Sequence, residues 1–239
     1  MDWDWSGINY DEYELFELFE SEPIISTVEE GFFVYRKNFN SGIKILLSLW
    51  SYEKKCEIFI SINENILFET TLRNVEYMRS DGKCLRIHQK DADIDYLIYF
   101  YPNFFVKTED VPTDQLKRRI ERTYDWSGIK YDEHELFELF ESDPMIPTIA
   151  ADGFFSYSKK FNNGINIYLN LWTYEKKCGI FIDINENILF ETTLKNVEYM
   201  RSDGKRLRIH QKDSDIDYLI YFYPNFFVKT EDVPTDKLR

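Results

Sequence analysis

The residues best suited to chemistry sit in one short stretch that occurs twice. Arg86 and His88 are followed by Asp91-Ala92-Asp93-Ile94-Asp95, and Arg208 and His210 by Asp213-Ser214-Asp215-Ile216-Asp217. Three carboxylates on alternate residues begin like a calcium loop. The glycine required at position six and the glutamate at position twelve are replaced by Tyr96 and Pro102, so the run reads as a polar turn before a strand. His88 and His210 have no cysteine or second histidine at ligand spacing, and each is expected to stand exposed on a strand. No Gly-x-Ser-x-Gly, glycine-rich phosphate loop or His-Glu-x-x-His is present. The least implausible catalytic cluster is His88 with Asp91 and Asp93. No cofactor or metal site is expected, and the protein is expected not to be an enzyme.

The elements that carry these residues recur as a pair. Residues 1–117 and 125–239 are near-identical units, with 118–124 as a basic linker that includes Arg118, Arg119 and Arg122. With one extra residue in the Ala150-Ala151-Asp152 loop, roughly four in five positions agree, beyond what a shared fold alone requires. A unit of ~115 residues is long enough to fold alone, so this is a duplicated domain. The two units are expected to pack as a pseudo-dimer.

The chain carries 43 acidic and 29 basic residues, a formal charge of −14. Such a field repels nucleic acid and anionic membrane and speeds encounter with basic proteins. Cys56, Cys84 and Cys178 are an odd set, and Cys84 is Arg206 in the other unit, so no disulfide or metal framework is common to both. The start, Met-Asp-Trp-Asp-Trp, lacks the layout of a signal peptide, and no apolar run reaches the ~18 residues of a membrane span. A reduced, cytoplasmic setting is the expectation.

Asn9 to Ser21 predicts a helix with Leu15, Phe16, Phe19 and Leu18 on its apolar side and Glu14, Glu17 and Glu20 on the other. Pro23 stops it. From Gly31 the period changes to two. Val34, Arg36, Lys44, Leu46 and Ser48 become Ser156, Ser158, Asn166, Tyr168 and Asn170 in the second unit, while Phe33, Tyr35, Ile43, Ile45, Leu47 and Leu49 reappear unchanged. Alternation of this kind belongs to a strand with one face packed and one free. Cys56 to Ile62 continues it, with Ile58, Ile60 and Ile62 inward and Glu57, Phe59 and Ser61 outward; Glu57 becomes Gly179 and Ser61 becomes Asp183. Asn40-Ser41-Gly42, Asn63-Glu64-Asn65 and Ser80-Asp81-Gly82 supply the turns. Ile94 to Tyr101 reads as a central strand covered on both sides. The fold class is therefore α+β: two tandem near-identical domains, each a meandering antiparallel sheet of about six or seven strands with one N-terminal helix on one face.

The outward set, Arg36, Lys44, Leu46, Glu57, Phe59, Ser158, Asn166, Tyr168 and Asp183, together with Glu14, Glu17 and Glu20, forms the predicted partner-binding surface. Neutral drift on a solvent face gives the same parity, and the sequence does not separate the two. With segments such as Thr71-Leu-Arg-Asn-Val75 and Thr193-Leu-Lys-Asn-Val197, the acidic α+β unit resembles the small cytosolic immunity proteins of bacterial polymorphic-toxin systems. The resemblance implies a non-catalytic inhibitor that neutralises a basic, nuclease-like toxin by occlusion; no functional residue carries over. A nucleic-acid mimic of phage or defence origin and an enzyme on an unfamiliar scaffold are the alternatives.

Overall fold

The computed structural model describes residues 7–90, 92, 94–101, 103–111, 128–145, 153–212, 214 and 216–233. The linker 118–124 and the carboxylates Asp91, Asp93, Asp213 and Asp215 lie outside the described residues. The chain divides into two compact units, Met1–Arg118 and Arg119–Arg239. The described residues form seventeen strands, antiparallel wherever consecutive strands pair, and two α-helices.

In the first unit the helix α1 spans Glu12–Phe19. Asp11 caps its start by accepting from the Tyr13 amide at 2.8 Å, and acidic Glu12 and Glu14 suit the positive end of the helix dipole. Glu20, left-handed at φ 56°, ends it. These caps make the helix shorter than Asn9–Ser21. Leu15, Leu18 and Phe19 are buried, whereas Phe16 is 44% exposed. The apolar stripe is thus narrower than the sequence suggested.

Strands β1 (Ile25–Thr27), β2 (Phe32–Asn38), β3 (Ile43–Trp50), β4 (Lys55–Ile62) and β5 (Asn65–Leu72) follow one another as an antiparallel meander. Then β6 (Val75–Ser80), β7 (Cys84–Gln89), β8 (Ile94–Tyr99) and β9 (Phe105–Asp110) form a second. The expectation of one six- or seven-stranded meander is corrected here, because β5 and β6 belong to different sheets. Asn74, at φ 55°, turns the chain out of β5. Helix α1 rests against β2 and β6 rather than across the middle of one sheet.

Aromatic packing and one buried lysine fix that helix. The Phe19 ring lies 5.5 Å from Tyr35 and 5.1 Å from Phe100, and Phe39 lies 4.7 Å from Phe104. Lys37 Nζ donates to the Leu18 carbonyl at 2.8 Å and to the Tyr101 hydroxyl at 2.9 Å, placing a cation at the helix C-terminus, where the dipole favours it. The Ser80 amide donates to Glu14 at 2.8 Å and ties the helix to β6.

The second unit repeats the order. Helix α2 is Glu133–Phe140, followed by β10 (Phe154–Lys160), β11 (Ile165–Trp172), β12 (Lys177–Ile184) and β13 (Asn187–Leu194). Strands β14 (Val197–Ser202), β15 (Arg206–Gln211), β16 (Ile216–Tyr221) and β17 (Phe227–Asp232) complete it. No helix among the described residues is long and apolar enough to cross a membrane.

Candidate functional site

Strand β3 alternates strictly. Ile43, Ile45, Leu47 and Leu49 are buried, and Lys44, Leu46, Ser48 and Trp50 are half-buried. The register aligns the outer side chains into rows across the sheet: Arg36 faces Leu46, which faces Phe59, which faces Glu69. Lys44 faces Ser61, Ser48 faces Glu57, and Trp50 faces Lys55. Facing side chains stand close enough to touch. At one end Lys55 pairs with Glu57 at 2.8 Å and lies 4.0 Å over the Trp50 ring. Two outward positions are covered. Val34 sits beside Ile25 of β1, and Ser61 lies at the irregularity between Ile60 and Ser61; both are buried.

The same face of the second unit is rebuilt in matched pairs. Asn166 and Asp183, facing each other, replace Lys44 and Ser61, and Asn166 Nδ2 donates to Asp183 Oδ1 at 2.7 Å. Ser156 and Asn170, facing each other, replace Val34 and Ser48, and Ser156 Oγ donates to Asn170 Oδ1 at 2.7 Å. Burial and the nearby Asp183 push the Tyr168 phenol above its usual range. Gly179, in the place of Glu57, leaves room for two rings. A Cβ there would stand 3.0 Å from Phe181 and 3.3 Å from Trp172. A shallow depression of about 600 Å³ gathers Ser158, Asn166, Tyr168 and Asp183 with Lys159, Lys160, Asn185 and Glu186. Lys160 replaces Asn38, a change at a strand end that parity reasoning missed.

The helix carboxylates do not form an outward array. Glu14 accepts from Ser80. Glu20 takes hydrogen bonds from the Tyr101 hydroxyl and from Lys37, which hold its carboxyl below the usual range. Only Glu17 of the three stands exposed with its carboxylate outside these contacts. In the second unit Glu135 and Glu141 are used in the same way, by the Ser202 amide and by Lys159 with Tyr223.

His88 is not exposed, contrary to expectation. It is buried, its Nδ1 is 2.7 Å from Asp95 Oδ1, and its ring stacks on Tyr77 at 4.8 Å. Asp95, itself buried, accepts from Arg86 at 2.6 Å, and Arg86 reaches Glu109 at 3.0 Å. His210, Asp217, Arg208 and Glu231 repeat the chain of contacts at matching distances. A His–Asp pair can relay a proton when the distal nitrogen reaches a substrate. Here Nε2 lies 3.8 Å from Glu76 under the Tyr77 ring, so the observed contacts join β6, β7, β8 and β9. Hairpin register could have revealed the pair, since His88 and Asp95 are direct partners across β7 and β8. Among the described residues no group of His, Cys, Asp or Glu is arranged to hold a metal ion.

These two regions also differ between units. Glu76, Tyr77, Arg79, Arg86, Tyr99, Lys107, Glu109 and Asp110 recur unchanged from Glu198 to Asp232, while Cys84, of the same parity as Arg86 on β7, becomes Arg206. Outward residues of β2, β3 and β4 are mostly replaced.

No protein-family model and no curated protein matches the chain. Among solved structures, a chain of a contact-dependent growth inhibition toxin–immunity protein complex from Klebsiella pneumoniae 342 matches at 21% identity, over 44% of this chain and 97% of that one, with a TM-score of 0.39. Kluyveromyces lactis Hsv2 matches at 12% identity over 83% of this chain and 50% of its own, with a TM-score of 0.17. A 6-phosphogluconolactonase-like protein from Bacteroides uniformis matches at 8% identity over 89% and 57%, with a TM-score of 0.18. At these TM-scores the likenesses carry no functional argument.

Proposed function

We propose that the chain is a non-catalytic protein-binding module that neutralises a partner by covering it, as an immunity protein covers a toxin domain. The observation that carries this reading is the pairing of changes on the outer faces. Lys44 and Ser61 change together into a hydrogen-bonded Asn166–Asp183 pair, and Val34 and Ser48 into a Ser156–Asn170 pair. Exchange in facing pairs keeps the cross-strand contacts of the sheet satisfied while changing the chemistry of the surface that a partner would meet.

The net charge of −14 would speed encounter with a basic partner, and local contacts would decide which partner stays. The first face mixes Arg36 and Lys44 with Leu46 and Phe59. That mixture suits protein recognition better than imitation of a phosphate backbone, which calls for massed acid. Two linked faces would raise the effective concentration of the second engagement.

The test begins with the full chain as bait in extract of its native host. The retained protein is then expressed in a test bacterium, with and without this chain. The reading predicts growth arrest that the chain relieves and that a variant carrying Leu46→Arg, Phe59→Arg and Tyr168→Arg does not. Relief by the variant equal to that by the parent, or retention of no growth-arresting protein, would remove the reading.

A further inference from the structure

The second unit's depression offers an acceptor of fixed orientation. Asp183 Oδ1 is held by Asn166 Nδ2 at 2.7 Å, and the Tyr168 ring lines the same depression. Glu186, in the turn after β12, adds a second carboxylate to the lining. Of the two lysines there, Lys159 is already engaged, at 2.9 Å to the Leu139 carbonyl and 2.8 Å to Glu141. Lys160 is exposed at the rim. Tyr168, which faces Phe181 across β11 and β12, gives the lining its aromatic surface. The first unit keeps Glu64, Lys37 and Phe59 in the places of Glu186, Lys159 and Phe181, but Lys44, Leu46 and Ser61 stand in the place of Asn166, Tyr168 and Asp183, so the oriented acceptor is missing there.

A carboxylate oriented by the Asn166 amide, beside the Tyr168 ring, matches a planar cation that can bond through its edge and stack through its face. Guanidinium has that shape, and ammonium does not. We infer that the depression between β10, β11 and β12 receives an arginine side chain of the protein partner, with Asp183 as its principal acceptor and Tyr168 as its stacking surface. The corresponding place on the first unit has Lys44 and Ser61 for Asn166 and Asp183, so it lacks that acceptor and sets a cation in its place. The two faces of one chain therefore read different residues. This rests on the protein-binding reading above and names what one of its faces recognises.

The experiment uses the full isotope-labelled chain and three probes, the blocked amino acids N-acetyl-arginine, N-acetyl-lysine and N-acetyl-glutamate methylamides, followed by amide chemical shifts. The arginine probe is expected to shift the amides of Asn166, Tyr168 and Asp183 in a saturable way. Lysine should do so more weakly, and glutamate not at all. Asp183→Asn should weaken the arginine response about tenfold, since a charge-assisted bond becomes a neutral one. In the first unit, Lys44→Asn with Leu46→Tyr and Ser61→Asp should create the response at positions 44 to 61. Shifts that survive Asp183→Asn, an equal response to glutamate, or no response up to the probe's solubility would overturn the assignment. A saturable arginine response with no captured protein would instead leave the site standing and remove the proposed function.

Discussion

The outer face of β2–β4 and the sheet β6–β9 are both antiparallel meanders with one side packed, yet their polar residues are used in opposite ways. In β6–β9 the outward charges are bound to one another: Arg86 joins Asp95 to Glu109, Lys107 reaches Glu109 at 3.3 Å, and Arg79 lies 5.0 Å over Tyr77. Replacing one member leaves another stranded, and the cost is high where the stranded group is buried. On the outer face of β2–β4 the Arg36, Lys44 and Leu46 side chains meet their neighbours without such ties, so a substitution costs little. One sheet has residues that hold the unit together. The other has residues that are free to be chosen for something outside it.

The strongest way to break this contrast is to cut the network. Asp95→Ala leaves Arg86 and the buried His88 without their shared acceptor, and a loss of about 3–5 kcal/mol is expected in denaturant unfolding. Asp217→Ala should do the same in the second unit. Lys44→Asn, by comparison, should fall within about 0.5 kcal/mol. Near-equal losses at Asp95 and Lys44 would erase the distinction.

A second test raises the pH. Burial, and then the Glu12 carboxylate, lifts the Tyr35 phenol from 10.0 to about 12. Tyr157 is likewise lifted to about 12, by burial first. A phenol whose folded value is raised stabilises the fold fully below its free value, and that stability is lost as pH climbs through the folded value. Circular dichroism should therefore stay native to about pH 10 and decline toward pH 12, together with the appearance of phenolate absorbance. Phenolate signal from all tyrosines at their free value, with the fold intact, would contradict the packing of α1 and α2.

Next in size is Gly179→Glu, which restores the first unit's residue in the second. Its Cβ meets Phe181 at 3.0 Å and Trp172 at 3.3 Å, so about 1–3 kcal/mol of destabilisation is expected from crowding. The smallest effect sharpens the comparison most. A double-mutant cycle on Asn166→Lys and Asp183→Ser should show coupling of about 0.5–1 kcal/mol, whereas Arg36→Ser and Ser61→Asp in the first unit should be additive.

Much of this was legible in the sequence. Period two over Ile43 to Trp50, and the Asn-Gly turn chemistry before it, placed the strands and assigned inside and outside. The less legible parts depended on what each strand meets across space. Nothing in Arg73-Asn74 says whether β6 pairs with β5, so the break between meanders was invisible. Glu14 and Glu20 look like a solvated helix face until Ser80 and Lys37 are brought to them. His88 looked solitary because its partner Asp95 is seven residues away, across a hairpin. Ser61 counted as outward by parity, yet it is buried where the β4–β5 register shifts.

The most direct measurement is partner affinity for two sets of variants of the full chain, with stability checked in parallel. One set converts the second face to the first with Ser158→Arg, Asn166→Lys, Tyr168→Leu and Asp183→Ser. The other removes outward charge from the second meanders with Lys107→Ala and Lys229→Ala. The account predicts that the face conversion weakens binding at least about tenfold, or about 1.4 kcal/mol, and that the lysine pair leaves it unchanged. Binding that ignores the face conversion and follows the two lysines would contradict it.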